Sequence, residues 1–173
     1  MNPPDQQSPD PPLRLLFVCS GNTCRSPLAE VLSRRFAGEL GLHSVEIRSA
    51  GTSDGSGLEA SGGALRAAAR HGLSLKGHAS AALSRELVEW ADWVFAMGSG
   101  HLLRLEELGA EKKAVLLGAF ATEEESDGID TGGVLLEVPD PFGGSDAVYE
   151  ETYRTLEKYV ELAMKRLAGK VGG

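Results

Sequence analysis

Apolar positions along this chain alternate between short continuous runs and series spaced at helical intervals. Residues 13–18, LRLLFV, are a nearly unbroken apolar run ending at Cys-Ser-Gly-Asn, the pattern of a buried parallel strand that feeds a loop. Pro27 suits the first turn of a following helix, and Leu28, Val31, Leu32, Phe36 and Leu40 recur at helical spacing until Gly41. A strand over 45–49, a glycine-rich loop running through Gly63 and an alanine-rich helix from about Glu59 to Gly72 make a second strand-helix pair. A helical turn over 84–90 leads to an apolar strand at 93–97, a helix over 101–108 and a strand at 114–117. Residues 120–138 read as an irregular acidic connection, a kind that often carries function, and it ends at Pro139-Asp140-Pro141. The last helix places Val148, Thr152, Leu156, Tyr159, Ala163 and Leu167 on one face, so it should pack on the sheet.

Strands alternating with helices predict an α/β fold, a doubly wound parallel sheet of four strands with helices on both faces and right-handed crossovers. The chain length of 173 residues suits a single domain, placed here over 13–168, with no internal repeats. Residues 1–12, MNPPDQQSPDPP, carry too much Pro and polar side chain to pack and read as a disordered tail. Residues 169–173 read as a flexible C-terminal tail.

Charge narrows the function. A net charge of −8 and a pI near 5.0 disfavour nucleic acid and anionic lipid as partners, because binders of phosphate backbones present clustered Lys and Arg. The acidic run Glu123 to Asp127 is solvated surface on this reading. The opening has no apolar signal-peptide core, and no apolar run approaches the roughly 20 residues that span a bilayer, so a cytoplasmic monomer is expected. Cys19 and Cys24, the chain's 2 cysteines, are too few for a disulfide framework and fit a reducing compartment.

Both cysteines lie in the segment where open α/β sheets hold ligands, beyond the carboxyl end of the first strand. Cys19-Ser20-Gly21-Asn22-Thr23-Cys24-Arg25-Ser26 joins that strand to the first helix. Such a loop can turn successive N–H groups inward at the positive end of a helix dipole and so cradle an anion, with Gly21 permitting the curl. The same N–H groups and the Arg25 guanidinium would stabilise a thiolate at Cys19. The spacing lets Arg25 return to grip two oxygens of one phosphate while the sulfur is aimed in line at phosphorus. Cys-x5-Arg is a short motif, but its strand-loop-helix setting sharpens it. A zinc pair lacks partners at ligand spacing, and the loop lacks the Gly-Lys-Ser/Thr ending of a nucleotide-binding loop; no metal or cofactor is expected.

Thiolate attack needs an acid on another segment to protonate the leaving group. Asp140 is the candidate, since Pro139 and Pro141 stiffen the backbone that presents it. Glu89, Asp92 and Asp54 offer less, and His43, His71, His78 and His101 stay unassigned.

VCSGNTCRSPLAE at 18–30 resembles the signature of low-molecular-weight protein tyrosine phosphatases. SAGT at 49–52, GHAS at 77–80, ADWVFAM at 91–97 and DPFGGS from Asp140 are similar to that family in the same order, so the resemblance runs from Leu13 to about Leu167. It implies a four-stranded parallel sheet, a phosphocysteine intermediate on Cys19, and Asp140 acting first as acid and then as base. It implies that Asn22 holds the loop in shape, that the Ser26 hydroxyl supports the thiolate beside any helix-capping role, and that Cys24 bonds reversibly to Cys19 under oxidation. Thr23 and Phe142 stand where tyrosine-specific members often carry Ile and Tyr or Trp, and this pair is similar to a bacterial protein-arginine phosphatase branch. A phosphorylated guanidinium brings N–H donors that a Thr hydroxyl can accept and Ile would leave unpaired. Phosphorylated proteins are the implied substrates, phosphoarginine foremost and phosphotyrosine as the alternative. An arsenate reductase with a disulfide relay would need further cysteines. A non-enzymatic phosphate-binding module could dispense with Cys19, Arg25 or Asp140, and a Cys19–Cys24 redox switch would be peroxide-sensitive without phosphatase activity.

Overall fold

The computed structural model describes residues 10–122 and 136–172. Among them the chain runs β1 (Leu13–Cys19), α1 (Arg25–Glu39), β2 (Val45–Gly51), α2 (Gly62–Arg70), α3 (Arg85–Trp90), β3 (Trp93–Ala96), α4 (Ser99–Glu107), β4 (Ala114–Leu116), α5 (Leu117–Thr122) and α6 (Asp146–Val171). All strand pairs are parallel, in the order β2-β1-β3-β4. The chain therefore leaves β1 toward one edge of the sheet and returns on the other side at β3. Their carboxyl ends diverge there, and a ligand crevice opens at such a switch point.

Central placement explains the apolar run of β1. Leu15 and Phe17 face a core built with α1, α2, α5 and α6, whereas Leu16 and Val18 face a second core with α3 and α4, and all four are essentially inaccessible. Side chains alternate across a strand, so burial on both faces demands an unbroken apolar sequence. In the first core Phe95 stacks on Phe17 and Trp93 while Phe120 meets Trp93 and Phe95 at a tilt, with ring centroids 4.9 to 6.2 Å apart.

Element boundaries differ from the sequence expectation where a local contact overrides the pattern. The alanine-rich helix begins at Gly62, not Glu59, because Ser61 caps it by accepting the Ala64 N–H. The pattern predicts a strand ending at 117 and an irregular connection from 120, whereas residues 117–122 form the helix α5. The absence of a side chain at Gly118 serves packing, since a Cβ there would lie 2.3 Å from the Leu136 carbonyl oxygen. The remainder of the expected acidic connection, 123–135, with its acidic run, lies outside the described residues, as does most of the N-terminal tail. Helix α6 extends through Val171, so part of the expected C-terminal tail is helical. No helix among the described residues is long and apolar enough to cross a membrane.

Candidate active site

Strand β1 ends at Cys19, opposite Gly51 in the register with β2. The next five residues wrap into the first turn of α1, and Asn22 adopts a positive φ of 53°, a conformation that Asn tolerates better than most side chains. Gly51 is required by this curl, because a Cβ there would lie 2.5 Å from the Ser20 carbonyl oxygen and 2.9 Å from the Asn22 nitrogen. Two further bonds fasten the loop to the chain after β2, from Thr52 N–H to the Cys19 carbonyl and from Ser53 N–H to the Ser20 carbonyl, each 2.9 Å.

Asn22 is the hub of the loop. Its amide nitrogen donates to Ser26 Oγ at 2.8 Å and Ser49 Oγ at 2.9 Å, while its amide oxygen accepts the Ala81 N–H at 2.9 Å. The Asn22 carbonyl accepts from His78 Nε2 at 2.7 Å, which fixes that nitrogen as the protonated one. Ser49 in turn donates to Glu30. Ser26 Oγ, already an acceptor from Asn22, lies 2.9 Å from Cys19 Sγ and can send its proton to the sulfur. Its capping role is not observed: the N-cap of α1 is Cys24, and Ser26 lies inside the helix.

Arg25 is buried, with Nη1 donating to the Val138 carbonyl at 3.0 Å and Nη2 donating to Ser20 Oγ at 3.4 Å. Asp140, half exposed, brings Oδ2 to 3.7 Å from Arg25 Nη2, and its Oδ1 accepts the Phe142 N–H at 3.1 Å. The Asp140 segment reaches the loop because Val138 N–H bonds the Met97 carbonyl at the end of β3. Cys19, Ser20, Gly21, Thr23, Cys24, Arg25, Leu58, Asp140 and Phe142 line one cavity of about 310 Å³. Exposed Leu58 and Phe142 form its apolar rim. A larger groove of about 660 Å³ lies behind the loop, beside Glu30, Ser49 and His78, and does not reach Cys19.

Both thiols are free. Cys24 Sγ sits 3.1 Å from Ser61 Oγ and 3.5 Å from the Tyr149 hydroxyl, whose pKa burial pushes up. Among the described residues no group of three His, Cys, Asp or Glu is placed to hold a metal ion.

Every residue singled out in the sequence, from Cys19 through Ser26 together with Asp140 and Phe142, belongs to this cavity or to the loop that forms it. Sequence reasoning did not single out Leu58, nor the histidines: His78 bonds the loop, and buried His101 places Nε2 2.9 Å from Ser20 Oγ. His101 stands five residues beyond β3, at the switch point where α/β folds gather functional groups, and that position was the available signal.

A four-stranded parallel sheet whose switch-point loop cradles a cysteine and an arginine defines a cysteine-dependent phosphatase. The family described as low molecular weight phosphotyrosine protein phosphatase matches residues 14–172, and the chain belongs to it. A protein-arginine-phosphatase from Geobacillus stearothermophilus is 36% identical over 92% of this chain and 97% of its own length. The low molecular weight protein-tyrosine-phosphatase Etp of Escherichia coli K12 is 33% identical over 89% of this chain and 94% of its own. The solved YwlE arginine phosphatase from G. stearothermophilus superposes with a TM-score of 0.78 at 34% identity, covering 92% of this chain and 95% of that one. The chain is accordingly a cysteine-dependent protein phosphatase.

Proposed function

We propose that this phosphatase hydrolyses protein phosphoarginine through a phosphocysteine intermediate on Cys19. The observation that carries the substrate choice is Thr23. It lines the cavity beside Cys19, and among the described residues its hydroxyl contact is a weak one, 3.7 Å to Cys24 Sγ. That hydroxyl is available to accept an N–H of a phosphorylated guanidinium, whose donors an apolar side chain would leave unpaired. Relatives of both specificities resemble the chain to similar degrees, so the argument rests on this side chain.

In the mechanism, backbone N–H groups of the loop and the Arg25 fork hold the phosphoryl oxygens while Cys19 sulfur attacks phosphorus. A Ser26 proton directed to the sulfur at 2.9 Å is held more strongly when the sulfur is anionic, so in this scheme it stabilises the nucleophile and the departing thiolate alike. Asp140 donates a proton to the leaving nitrogen or oxygen as the S–P bond forms. It then takes a proton from the water that cleaves the S–P bond, releasing phosphate and regenerating Cys19. The site needs no metal in this scheme. Cytoplasmic residence, where phosphorylated proteins and reduced thiols coexist, fits the same reading.

Phosphate release from matched phosphoarginine and phosphotyrosine peptides tests the substrate. The wild-type protein is expected to prefer phosphoarginine, and Thr23→Ile to shift the ratio toward phosphotyrosine by about tenfold or more, the scale of one unpaired donor. A wild-type preference for phosphotyrosine would overturn the substrate and leave the mechanism standing.

A further inference from the structure

His101 belongs to no step of the mechanism above, yet it is buried, with 7% of its surface exposed, one contact away from Arg25. It projects from the first turn of α4 to place Nε2 2.9 Å from Ser20 Oγ, the same oxygen that Arg25 Nη2 meets at 3.4 Å. Its other ring nitrogen, Nδ1, is enclosed and has no hydrogen-bond partner among the described residues. That orphan selects the tautomer. A proton on Nδ1 would be a buried donor without an acceptor, the costlier and rarer defect, whereas a bare lone pair there is tolerated more readily. The proton of the neutral ring therefore belongs on Nε2, facing Ser20.

Burial, and next the charge of Arg25, push the His101 pKa down to about 4, against smaller opposing effects of Glu137 and Asp140, so the ring is neutral at physiological pH. Glu137 is occupied elsewhere, accepting the Ser99 N–H at the start of α4 at 2.7 Å. Ser20 then receives two hydrogen bonds, from His101 and from Arg25, and a hydroxyl has two acceptor positions and one proton. With both acceptor positions filled, the Ser20 proton must be directed elsewhere, and Ser20 lines the cavity beside Cys19.

We propose that His101 is a positioning residue: it donates Nε2–H to Ser20 Oγ, holds that oxygen against the Arg25 guanidinium, and so turns the Ser20 hydroxyl proton toward a phosphoryl oxygen of the bound substrate. The loop gains a side-chain donor to the anion in addition to its backbone N–H groups. The guanidinium gains a second anchor besides the Val138 carbonyl. This inference rests on the reading of the cavity as the phosphoryl site.

Steady-state hydrolysis of an aryl phosphate by the full chain, with inorganic phosphate as competitive inhibitor, tests it independently of the phosphoarginine question. Ser20→Ala and His101→Leu are each expected to lower kcat/KM about tenfold and to weaken phosphate inhibition by a similar factor, the worth of one hydrogen bond to a charged group. His101→Gln, which keeps a donor near the position of Nε2, is expected to remain within about threefold of wild type. The Ser20→Ala/His101→Leu double variant should lose no more than either single one, because both act through one hydroxyl. Losses that multiply in the double variant, or a Gln variant as impaired as the Leu variant, would overturn the role. His101→Gln and Ser20→Ala carry the test if His101→Leu folds poorly. Cys19→Ser, run beside them, separates the two levels: turnover surviving that substitution would sink the site itself, whereas an inactive Cys19→Ser with multiplying losses would sink only His101.

Discussion

Asp140 stands 3.7 Å from Arg25 on a half-exposed segment, where a carboxyl can reach a leaving group above the cavity without being needed to hold the loop together. Asp140→Asn keeps the shape and removes the proton. Its kcat is expected to fall by about 10²- to 10⁴-fold with inhibition by inorganic phosphate largely preserved. An unchanged rate would mean that another group supplies the proton. At this scale the sequence was informative where chemistry and spacing coincide: that Cys19, Arg25 and Asp140 meet at one cavity was legible from a thiol and a guanidinium in one strand-loop-helix unit and a carboxyl held between two prolines on a separate segment. His78 and His101 were not. A histidine's role depends on what its ring nitrogens meet across 56 and 81 residues of sequence, and no local pattern encodes those encounters.

The loop is held in shape by its neighbours as much as by its own residues. Ser49 at the end of β2 takes part in the Asn22 network, and Gly51, two residues on, lets the loop backbone lie against the strand. A Gly51→Ala methyl would meet backbone atoms that cannot rotate away, so the loop must move to admit it. Displacement of the loop is expected to cost about 10²-fold in kcat/KM, the scale associated with ångström misplacement of catalytic groups, and kinetics compared with a thermal melt would check this. Wild-type activity in Gly51→Ala would show that the close approach is dispensable. Helix and strand types were largely readable from periodicity. The start of α2 and the existence of α5 were not, because a cap at Ser61 and a close approach of Gly118 to Leu136 decided them through individual contacts.

Across the whole molecule, the doubly wound order β2-β1-β3-β4 lets one crevice collect residues from β1, α1, α4 and the segment before α6. The apolar run of β1 and the alternation of elements foretold that architecture, since only a central strand with two buried faces needs such a sequence. Burying His101 in the crevice ties global stability to pH. Its pKa is about 4 folded against 6.5 for an ordinary histidine, so the unfolded chain binds the extra proton in that window. Its contribution is complete above pH 6.5, shrinks as pH falls toward 4, and levels off below. The full excursion is on the order of 3 kcal/mol for such a shift. Thermal melts of wild type and His101→Gln between neutral pH and about pH 4.5 should converge or cross as pH falls, the variant losing less. Parallel pH dependences would contradict a neutral buried ring.

The most direct measurement is mass spectrometry of the wild-type enzyme quenched during turnover of an aryl phosphate, with the modified residue located by fragmentation. One phosphoryl group on Cys19, appearing with substrate and lost on the timescale of turnover, is the expected result. Turnover with no phosphoryl group on Cys19, or with the group on Ser20 or Thr23 instead, would contradict the assignment of Cys19 as the nucleophile.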